Sequence, residues 1–385
     1  MRILVFLWRA YSNRYLVNNL ARLGNEVDTY EDDRIIKEDE SGFDDLLSKI
    51  KRGYDVVVTY NYFKYVAIAC SMCGTPYISW TQDSPMLSLF DASTYFKTNY
   101  FFCFDSEQAE GLRKRGIKNA YYYPLLVDCN EMYNIATHTS EEEKLLYSSD
   151  ISFVGSLYSE KNMLSEIGGL PEYIKGYIDG FEETQIQIPA VRFSQMSIAG
   201  NVIGWLKDNF VFNSTEESSV PYMELMDNLI DREVTVKERR KMLEIMKGRD
   251  FRLYTMSDTQ KYPYINNCGT VDYYTQMPKV FALTKINLNL TLRSIRTGIP
   301  LRVLDVLACG GFLLTNAQDD LFTYFEEGRS IVTFANLDEM AEKLTYYLKY
   351  SEERERIAKE GQTVVKDCFD YQKRLGEMFE VVGVK

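Results

Sequence analysis

The spacing of apolar and polar positions in the first third of the chain predicts an alternation of strands and helices. Short apolar runs, typical of buried strands, are separated by longer stretches whose apolar residues recur with helical spacing. The predicted strands are 2–8, 26–30, 54–59, 76–80, 100–104 and 119–123, and the predicted helices are 11–23, 43–51, 63–73 and 107–115. Repeated units of one strand and one helix indicate a parallel sheet with helices on both faces.

A second series of the same kind begins at 151–155, after a polar interval at 134–150 that predicts a loop or linker. We therefore expect a first Rossmann-like domain at 1–133 and a second at 151–365. The remaining residues, 366–385, are expected to form a C-terminal helix. Whether that helix crosses back to the first domain is left open.

The region around 160–250 is less regular and is predicted to be a helical insertion in the second domain. Within it, 234–246 has helical spacing, and 252–255 returns to a strand pattern. Its role is left open between an acceptor groove and a dimer interface. Towards the end of the chain, 337–379 predicts two or three charged amphipathic helices.

The stretch 285–315 has the clearest local pattern in the chain. Residues 286–290 alternate Ile or Leu with Asn, which is typical of a half-buried strand. A polar loop follows, and Pro300 is well placed to be the first residue of a helix that ends at Gly310. Residues 312–315 then predict the next strand. The start of this helix therefore lies beyond the carboxyl end of a strand, where open α/β sheets bind ligands.

The same stretch is basic, although the chain as a whole has a formal net charge of -12. We call Lys285, Arg293, Arg296 and Arg302 the basic island; no acid lies among them before Asp305. Arg302 would occupy the first helical turn, where free backbone N–H groups already disfavour a cation. A phosphate or diphosphate shared between Arg302 and those groups would explain it. The alternative is an Arg302–Asp305 ion pair on a solvated surface.

Bulk composition limits the classes of protein. The 385 residues are too many for one compact core, and 45% hydrophobic with 26% charged residues is ordinary for a globular protein. The acidic balance argues against nucleic-acid binding. The chain starts directly with a strand pattern and has no run of roughly 20 apolar residues, so we expect a cytoplasmic protein without a transmembrane segment.

Motifs for metal or cofactor chemistry are absent from the sequence. There is no D-x-D, no G-x-G-x-x-G and no phosphate-binding P-loop pattern. His138, the single histidine, lies in the polar interval, which leaves no histidine triad or multi-histidine metal site. Cys70 and Cys73 predict two small core residues on one helix face, and the seven cysteines suit reduced thiols. We expect no cofactor and no metal.

Three segments resemble the GT-B glycosyltransferases, in particular the spore-maturation glycosyltransferase-like (CgeB type) family. The segment 298–312, GIPLRVLDVLACGGF, is similar to that family's pattern R-x-x-E-x-x-A-x-G-G, and similarity continues through 319–328 and into the closing helices. The sequence FVGS at 153–156 resembles the opening of its C-terminal domain, and WTQDSP at 80–85 resembles the D-x-P loop of its N-terminal domain. The resemblance implies two Rossmann-like, doubly wound domains facing a central cleft.

The resemblance implies that the protein uses a nucleotide-sugar donor as a substrate, and it favours a UDP-sugar. The donor is not counted as a cofactor. We assign Arg296 and Arg302 to its diphosphate, because arginines and helix N–H groups can neutralise a leaving diphosphate without a metal. Gly155 and Ser156 would face the donor from the other side of the cleft. Tyr254 and Tyr273 either bound the base or are core tyrosines. The backbone donors would come from the helix start, namely Gly298, Ile299, Pro300 and Leu301.

The broader retaining GT-B pattern Glu-x7-Glu is altered in this chain. Thr297 stands at the first position and Asp305 at the second. By resemblance, the second acid holds the ribose hydroxyls, which Asp305 could do with a shorter reach. The first acid contacts the donor sugar, so Thr297 leaves the sugar and the stereochemical outcome open, with a lean towards retention.

Asp83 is the predicted base or acceptor-orienting group. It follows the strand 76–80 and should face the cleft between the domains. The alternative is a simple turn made by Asp83, Ser84 and Pro85. Asp105, together with Gln108, predicts a helix capping box.

The leading functional hypothesis is a metal-independent hexosyl- or N-acetylhexosaminyltransferase acting on a glycan, protein or cell-envelope acceptor. A non-hydrolysing sugar-nucleotide epimerase shares the fold but needs several acid or base groups around the sugar. A catalytically inactive structural or assembly protein is the non-enzymatic alternative, which the substitution at Thr297 keeps open. A homodimer is also left open.

Overall fold

The computed structural model describes residues 1–159, 171–188, 200–209 and 220–384. Within these ranges the chain forms two six-stranded sheets, and the paired strands in both run parallel. The predicted α/β class is therefore confirmed.

The first sheet has the strand order β2-β1-β3-β4-β5-β6. Its strands are β1 (Arg2–Leu7), β2 (Glu26–Glu31), β3 (Val56–Tyr60), β4 (Tyr77–Thr81), β5 (Asn99–Cys103) and β6 (Ala120–Tyr122). The helices around it are α1 (Asn13–Arg22), α2 (Asp33–Ile36), α3 (Phe43–Ile50), α4 (Lys64–Cys73) and α5 (Ser106–Lys114). Short 3-10 turns cover Glu40–Gly42, Leu87–Phe90 and Ala92–Tyr95.

The second sheet has the order β12-β11-β10-β7-β8-β9. Its strands are β7 (Ser149–Val154), β8 (Phe251–Tyr254), β9 (Asn266–Asn267), β10 (Thr284–Asn289), β11 (Leu313–Asn316) and β12 (Val332–Phe334). The remaining described helices are α6 (Cys129–Thr137), α7 (Glu141–Tyr147), α8 (Glu172–Gln187), α9 (Gly200–Asn209), α10 (Tyr222–Ile245), α11 (Met277–Leu283), α12 (Leu301–Ala308), α13 (Leu337–Lys349), α14 (Ser351–Cys368) and α15 (Tyr371–Val382), with a 3-10 turn at Asp319–Thr323.

Strand β10 is buried on both faces, so its predicted half-buried character is wrong. Asn287 and Asn289 are 1% and 6% exposed. The Asn287 amide donates to the carbonyls of Phe281 and Phe312 at 2.9 and 3.2 Å, and Asn289 donates to the Thr315 hydroxyl at 2.9 Å. A buried amide is tolerated when its donors are satisfied in this way. The alternation of Asn with Ile or Leu, which predicts one solvent-exposed strand face, is here a row of buried and hydrogen-bonded amides.

Among the three hydrophobic clusters of the described residues, one runs from the first sheet into the second. Trp80 of β4 belongs to the same buried cluster as Leu304 of α12 and Phe369, which lies between α14 and α15. Helix α15 packs on α1 and returns the end of the chain to the first sheet. There the hydroxyls of Tyr371 and Tyr60 are 2.5 Å apart. The two sheets are consequently joined by packed side chains as well as by the chain itself.

Several expected boundaries differ from the structure. The polar interval 134–150 contains helix α7, which begins with a capping box formed by Ser140 and Glu143. Helix α10 begins at Tyr222, well before the predicted start at 234. Pro300 caps α12 instead of forming its first turn. Parts of the predicted insertion, 160–170, 189–199 and 210–219, lie outside the described residues. Across the described ranges, no helix is both long and apolar enough to cross a membrane.

Candidate functional site

The loop that follows β10 connects the two sheets. It leaves the carboxyl edge of the second sheet and packs against the turn between β5 and α5 in the first. The contact is close at Gly298, where a Cβ atom would lie 2.9 Å from the Asp105 Cα and 2.9 Å from the Phe104 ring. The predicted donor-binding loop is therefore in direct contact with the first domain.

Asp105 is the centre of this contact. Its carboxylate is buried and accepts the Arg296 backbone N–H at 2.8 Å and the Thr297 hydroxyl at 2.9 Å. It also accepts the Ser84 hydroxyl at 2.8 Å. Asp105 caps α5 as predicted, through the backbone N–H groups of Glu107 and Gln108 at 3.1 and 3.4 Å, but the Gln108 side chain bonds to the Asp83 carbonyl, so the reciprocal half of the predicted capping box is missing. The sequence indicated the cap but gave no sign of the bonds to the second domain.

The side chain of Arg296 lies among acids. Its guanidinium is 2.8 Å from Glu107, 3.5 Å from Glu224 and 4.0 Å from Asp227. Burial disfavours the charged form, but the bond to Glu107 and the neighbouring carboxylates outweigh it, so the pKa of Arg296 is raised. Arg296 remains a cation and bridges α5 to α10.

The other cations of the basic island also face carboxylates. Lys285 lies 2.7 Å from Asp150, and Arg293 forms a two-point contact with Glu238, 3.0 Å at its Nε atom. Most of these acids are distant in the sequence, so the sequence alone does not show that the cations of the basic island have acidic partners. The excess of positive charge in this stretch is therefore balanced by carboxylates that the fold brings next to it.

Arg302 and Asp305 form the i, i+3 pair that the sequence offered as an alternative. Their closest atoms are 3.3 Å apart, and Arg302 also lies over the Phe281 ring at 5.2 Å from its centroid. The pair is not on a solvated surface, since Asp305 is 1% exposed. Burial raises the pKa of Asp305 to about 6, against the opposing effects of Arg302 and of a hydrogen bond from Tyr273.

Tyr273 belongs to a group of tyrosines between the domains. Its hydroxyl donates to Asp305 at 2.9 Å. Its ring centroid is 5.9 Å from those of Tyr11 and Tyr15, which flank the start of α1, and 5.1 Å from that of Tyr274. The structure therefore brings Tyr273 to Asp305, whereas Tyr254 is a separate, buried residue whose pKa burial raises to about 12.

Gly155 and Ser156 follow β7 and lie beneath helix α10. The Ser156 carbonyl accepts from the Arg239 guanidinium, which also donates to the Leu290 carbonyl at 2.6 Å. Arg239 is 6% exposed and so ties α10 to the ends of β7 and β10. Sequence reasoning missed Arg239, because an arginine in a charged helix normally indicates a solvated face.

Asp83 follows β4 and is exposed. Its carboxylate accepts from the Asn61 side-chain amide at 2.6 Å, and the Asn61 side-chain oxygen Oδ1 accepts the backbone N–H groups of Gln82 and Asp83 at 2.8 and 3.3 Å. Asn61 is buried and has φ 62, a left-handed conformation that few residues other than glycine adopt. The sequence did not single out Asn61, which fixes the direction of Asp83.

Two cavities adjoin Arg296. A polar cavity of about 330 Å³ lies at the carboxyl edge of the second sheet, lined by Arg293, Thr297, Asn316 and Gln318 among others. A second cavity of about 410 Å³ lies between α5, the 3-10 turn after β4 and the start of α10. Arg296 and Glu107 line both cavities, so their ion pair lies where the two meet.

The described residues contain no group of three His, Cys, Asp or Glu side chains placed to hold a metal ion. His138 is exposed at the end of α6, with its Nδ1 atom 2.7 Å from the Asn134 carbonyl. The side chains described around the site are arginines, carboxylates, amides and hydroxyls.

Comparisons with known proteins agree with this architecture. Residues 232–380 match the sequence model of a family described as glycosyl transferase-like. No curated protein matches the chain. Among solved structures, Alr3699/HepE of Anabaena in complex with UDP-glucose is similar over 100% of this chain and 99% of its own, with a TM-score of 0.57 and 10% identity.

Two further structures have the same arrangement. A glycosyltransferase from Rickettsia africae is similar over 100% of this chain and 99% of its own, with a TM-score of 0.56 and 10% identity. Sucrose-phosphate synthase of Thermosynechococcus elongatus is similar over 99% and 98%, with a TM-score of 0.53 and 11% identity. The chain has the GT-B fold, as the sequence predicted.

Proposed function

We propose that the chain is a glycosyltransferase that moves a hexosyl or N-acetylhexosaminyl group from a UDP-sugar to a glycan, protein or cell-envelope acceptor without a metal. One observation carries the proposal. The loop from Arg293 to Pro300, within the part that matches the glycosyl transferase-like family, lies at the carboxyl edge of the second sheet and faces that of the first. Ligands of open α/β sheets bind at such edges.

Support for a UDP-sugar donor comes from the similar structures, since HepE binds UDP-glucose. Arg296 and Arg302 each face a carboxylate, and a donor diphosphate would replace Glu107 or Asp305 as the anionic partner. One charge-assisted contact is worth about 1.5–3 kcal/mol. Backbone N–H groups from Gly298 to Leu301 would add donors at the start of α12. Ribose binding by Asp305 would require Tyr273 to release its hydrogen bond.

Acceptor activation is assigned to Asp83. An acceptor hydroxyl needs a base within hydrogen-bond reach, and this exposed carboxylate is held in place by Asn61. Arginines and helix N–H groups would neutralise the departing diphosphate in the absence of a metal. We place the protein in the cytoplasm, where its seven unpaired cysteines would stay reduced, and we retain the CgeB-type assignment as part of the proposal.

A second candidate is a GT-B protein that has lost transfer activity and serves in assembly. The packing favours it at one point: Gly298 is in contact with Asp105, and Asp305 is covered by Tyr273. Both residues belong to the segment proposed to meet the donor. A protein that binds no nucleotide-sugar donor would not need to separate Gly298 from Asp105 or Tyr273 from Asp305.

Calorimetric titration of UDP, GDP, UDP-glucose and UDP-N-acetylglucosamine, without metal, tests the proposal. We expect one nucleotide series to bind the wild-type protein and Arg302→Ala to weaken it about tenfold or more. Arg329→Ala is the matched control, because Arg329 is an exposed cation with an i, i+3 acidic partner of its own. A lack of nucleotide binding by the wild-type protein would reject the transferase and favour the assembly protein.

A further inference from the structure

The cavity of about 410 Å³ beside Arg296 has the size of a small-molecule site. One wall is formed by Gln108 and Leu112 on α5 and by the C-cap residue Arg115, at helical spacing. The opposite wall is the 3-10 turn after β4, with Leu89 and Phe90. Along α5, the rise from Gln108 to Arg115 is about 10 Å. The cavity is thus elongated between two chemically different ends.

The middle of this cavity is apolar. Met86, Leu89, Phe90 and Leu112 supply its side chains, and Pro221 adds an edge from the start of α10. A ligand segment rich in hydroxyl groups would find few hydrogen-bond partners on such a surface. An aliphatic or aromatic segment would instead bury apolar area against it, which removes that area from water and favours binding.

The charges that line the cavity are paired, with one exception. Arg296 neutralises Glu107 and Glu224, and Lys114 lies 2.8 Å from Glu110, which is outside the cavity. Arg115 lies over the Phe90 ring, 4.3 Å from its centroid. No carboxylate of the described residues pairs with Arg115, which is therefore the cation left to bind an anionic ligand group.

The other end of the cavity has an unused hydrogen-bond acceptor. The Gln108 Nε2 atom donates to the Asp83 carbonyl at 3.2 Å. The Gln108 Oε1 atom is buried and, among the described residues, has no hydrogen-bond partner. A buried acceptor of this kind is unfavourable unless a donor reaches it. Because this atom is shielded from solvent, the Gln108 amide would have to turn towards the cavity for a ligand hydroxyl beside the Asp83 loop to supply that donor.

We propose that this cavity binds the sugar acceptor, and that the acceptor is an amphipathic anion. It has an apolar body, a hydroxyl near Gln108 and an anionic group near Arg115, about 10 Å away. The inference rests on the proposed transferase, and it narrows the acceptor to a small molecule instead of a bare glycan or a protein surface. The hydroxyl would form a C–O bond to the anomeric carbon of the donor sugar. Its proton would pass to Asp83, which does not line the cavity but directly precedes its lining residue Ser84, and the electron pair of the broken sugar–phosphate bond would leave with UDP.

Fluorescence titration with 6-hydroxy-2-naphthoate and its methyl ester, without donor, tests the binding site. We expect the wild-type protein to bind the carboxylate at least tenfold more tightly than the ester. Arg115→Met keeps an apolar chain against Phe90 and should abolish that preference, with ester affinity changed less than twofold. Lys118→Met is the control, since Lys118 is an exposed cation on the turn after α5 and does not line the cavity.

Equal affinity for acid and ester, or an unchanged preference in Arg115→Met, would overturn the inference, as would a lack of naphthoate binding. The UDP titration separates its failure from that of the transferase. If UDP binds and naphthoate does not, the transferase stands and this acceptor class is wrong. If naphthoate binds as expected and UDP does not, the cavity binds anions but is not an acceptor site.

Discussion

The Tyr273 hydroxyl donates to the Asp305 carboxylate across 2.9 Å, and both side chains are buried between the domains. The Asp305 carboxylate also faces the Arg302 guanidinium, and neighbouring tyrosine rings lie beside Tyr273. Because burial raises its pKa to about 6, Asp305 binds a proton more tightly in the folded than in the unfolded protein.

This difference predicts a pH-dependent stability. Below pH 4 Asp305 is protonated in both states, and as the pH rises through about 6 the folded protein loses up to about 3 kcal/mol from this group. Asp305→Asn should remove that loss, so its advantage over the wild type should grow between pH 4.5 and pH 8 in denaturant unfolding. Asp258→Asn, at an exposed position, should leave the slope unchanged. Parallel curves for wild type and Asp305→Asn would contradict the prediction.

Gly298 should tolerate no larger residue. A Cβ atom there would lie 2.9 Å from Asp105 backbone, which cannot move aside as a flexible side chain can. We expect Gly298→Ala to destabilise the protein by about 1–3 kcal/mol. Gly376→Ala is the control, because this exposed glycine in α15 has open space around it and should gain about 0.5–1 kcal/mol. Thermal unfolding compares the two, and an unaffected Gly298→Ala protein would disprove the close contact.

Asp105 should contribute more to stability than a helix cap alone. Its removal would lose the cap and leave Ser84, Thr297 and the Arg296 N–H without their acceptor. We expect Asp105→Ala to cost at least about 3 kcal/mol. Ser140→Ala, which removes an exposed cap from α7, should cost about 1 kcal/mol. Similar losses in the two variants, measured by urea unfolding, would mean that Asp105 acts only as a cap.

Asp83→Asn should lower kcat by about 100-fold or more and leave the affinity for UDP within twofold, because a base acts on the acceptor and not on the nucleotide. Turnover of the UDP-sugar with an acceptor, together with UDP titration, gives both quantities. Glu107→Gln tests a second carboxylate, that of Glu107, which lines both cavities beside Arg296. A larger loss of kcat in Glu107→Gln than in Asp83→Asn would transfer the role of base to Glu107.

The fold could be predicted because its signals are local. Strand and helix patterns repeat through both halves, and strands such as β3 (VVVTY) and β4 (YISWT) are mostly apolar and buried along their whole length. The errors arose where tertiary contacts reverse a local pattern. Asn287 and Asn289 predict a solvent-exposed strand face, but both are buried and their amides are hydrogen-bonded inside the protein. Helix α10 looks irregular because buried acids such as Glu238 pair with arginines from another segment.

The candidate site was predictable only in part. The sequence pointed to Asp83 and to the β10–α12 loop as site candidates, since each follows a strand. It could not reveal that Arg296 faces Glu107, because the two residues come from different domains. It gave no sign of Asn61 or Arg239, whose roles depend on the ends of neighbouring strands. The GT-B resemblance supplied donor roles that no spacing within this chain could establish.

The return of helix α15 to the first domain affects how this protein can be recombined with others. Tyr371 reaches Tyr60, and the Tyr123 hydroxyl donates to the Arg374 carbonyl at 2.5 Å. The last helix is thus structurally part of the first domain, although it is translated after the second. A chimera that exchanges the second domain alone must therefore keep Tyr371–Val382 from the parent that supplies the first domain. A single crossover point in the sequence would place the wrong aromatic surface against α1.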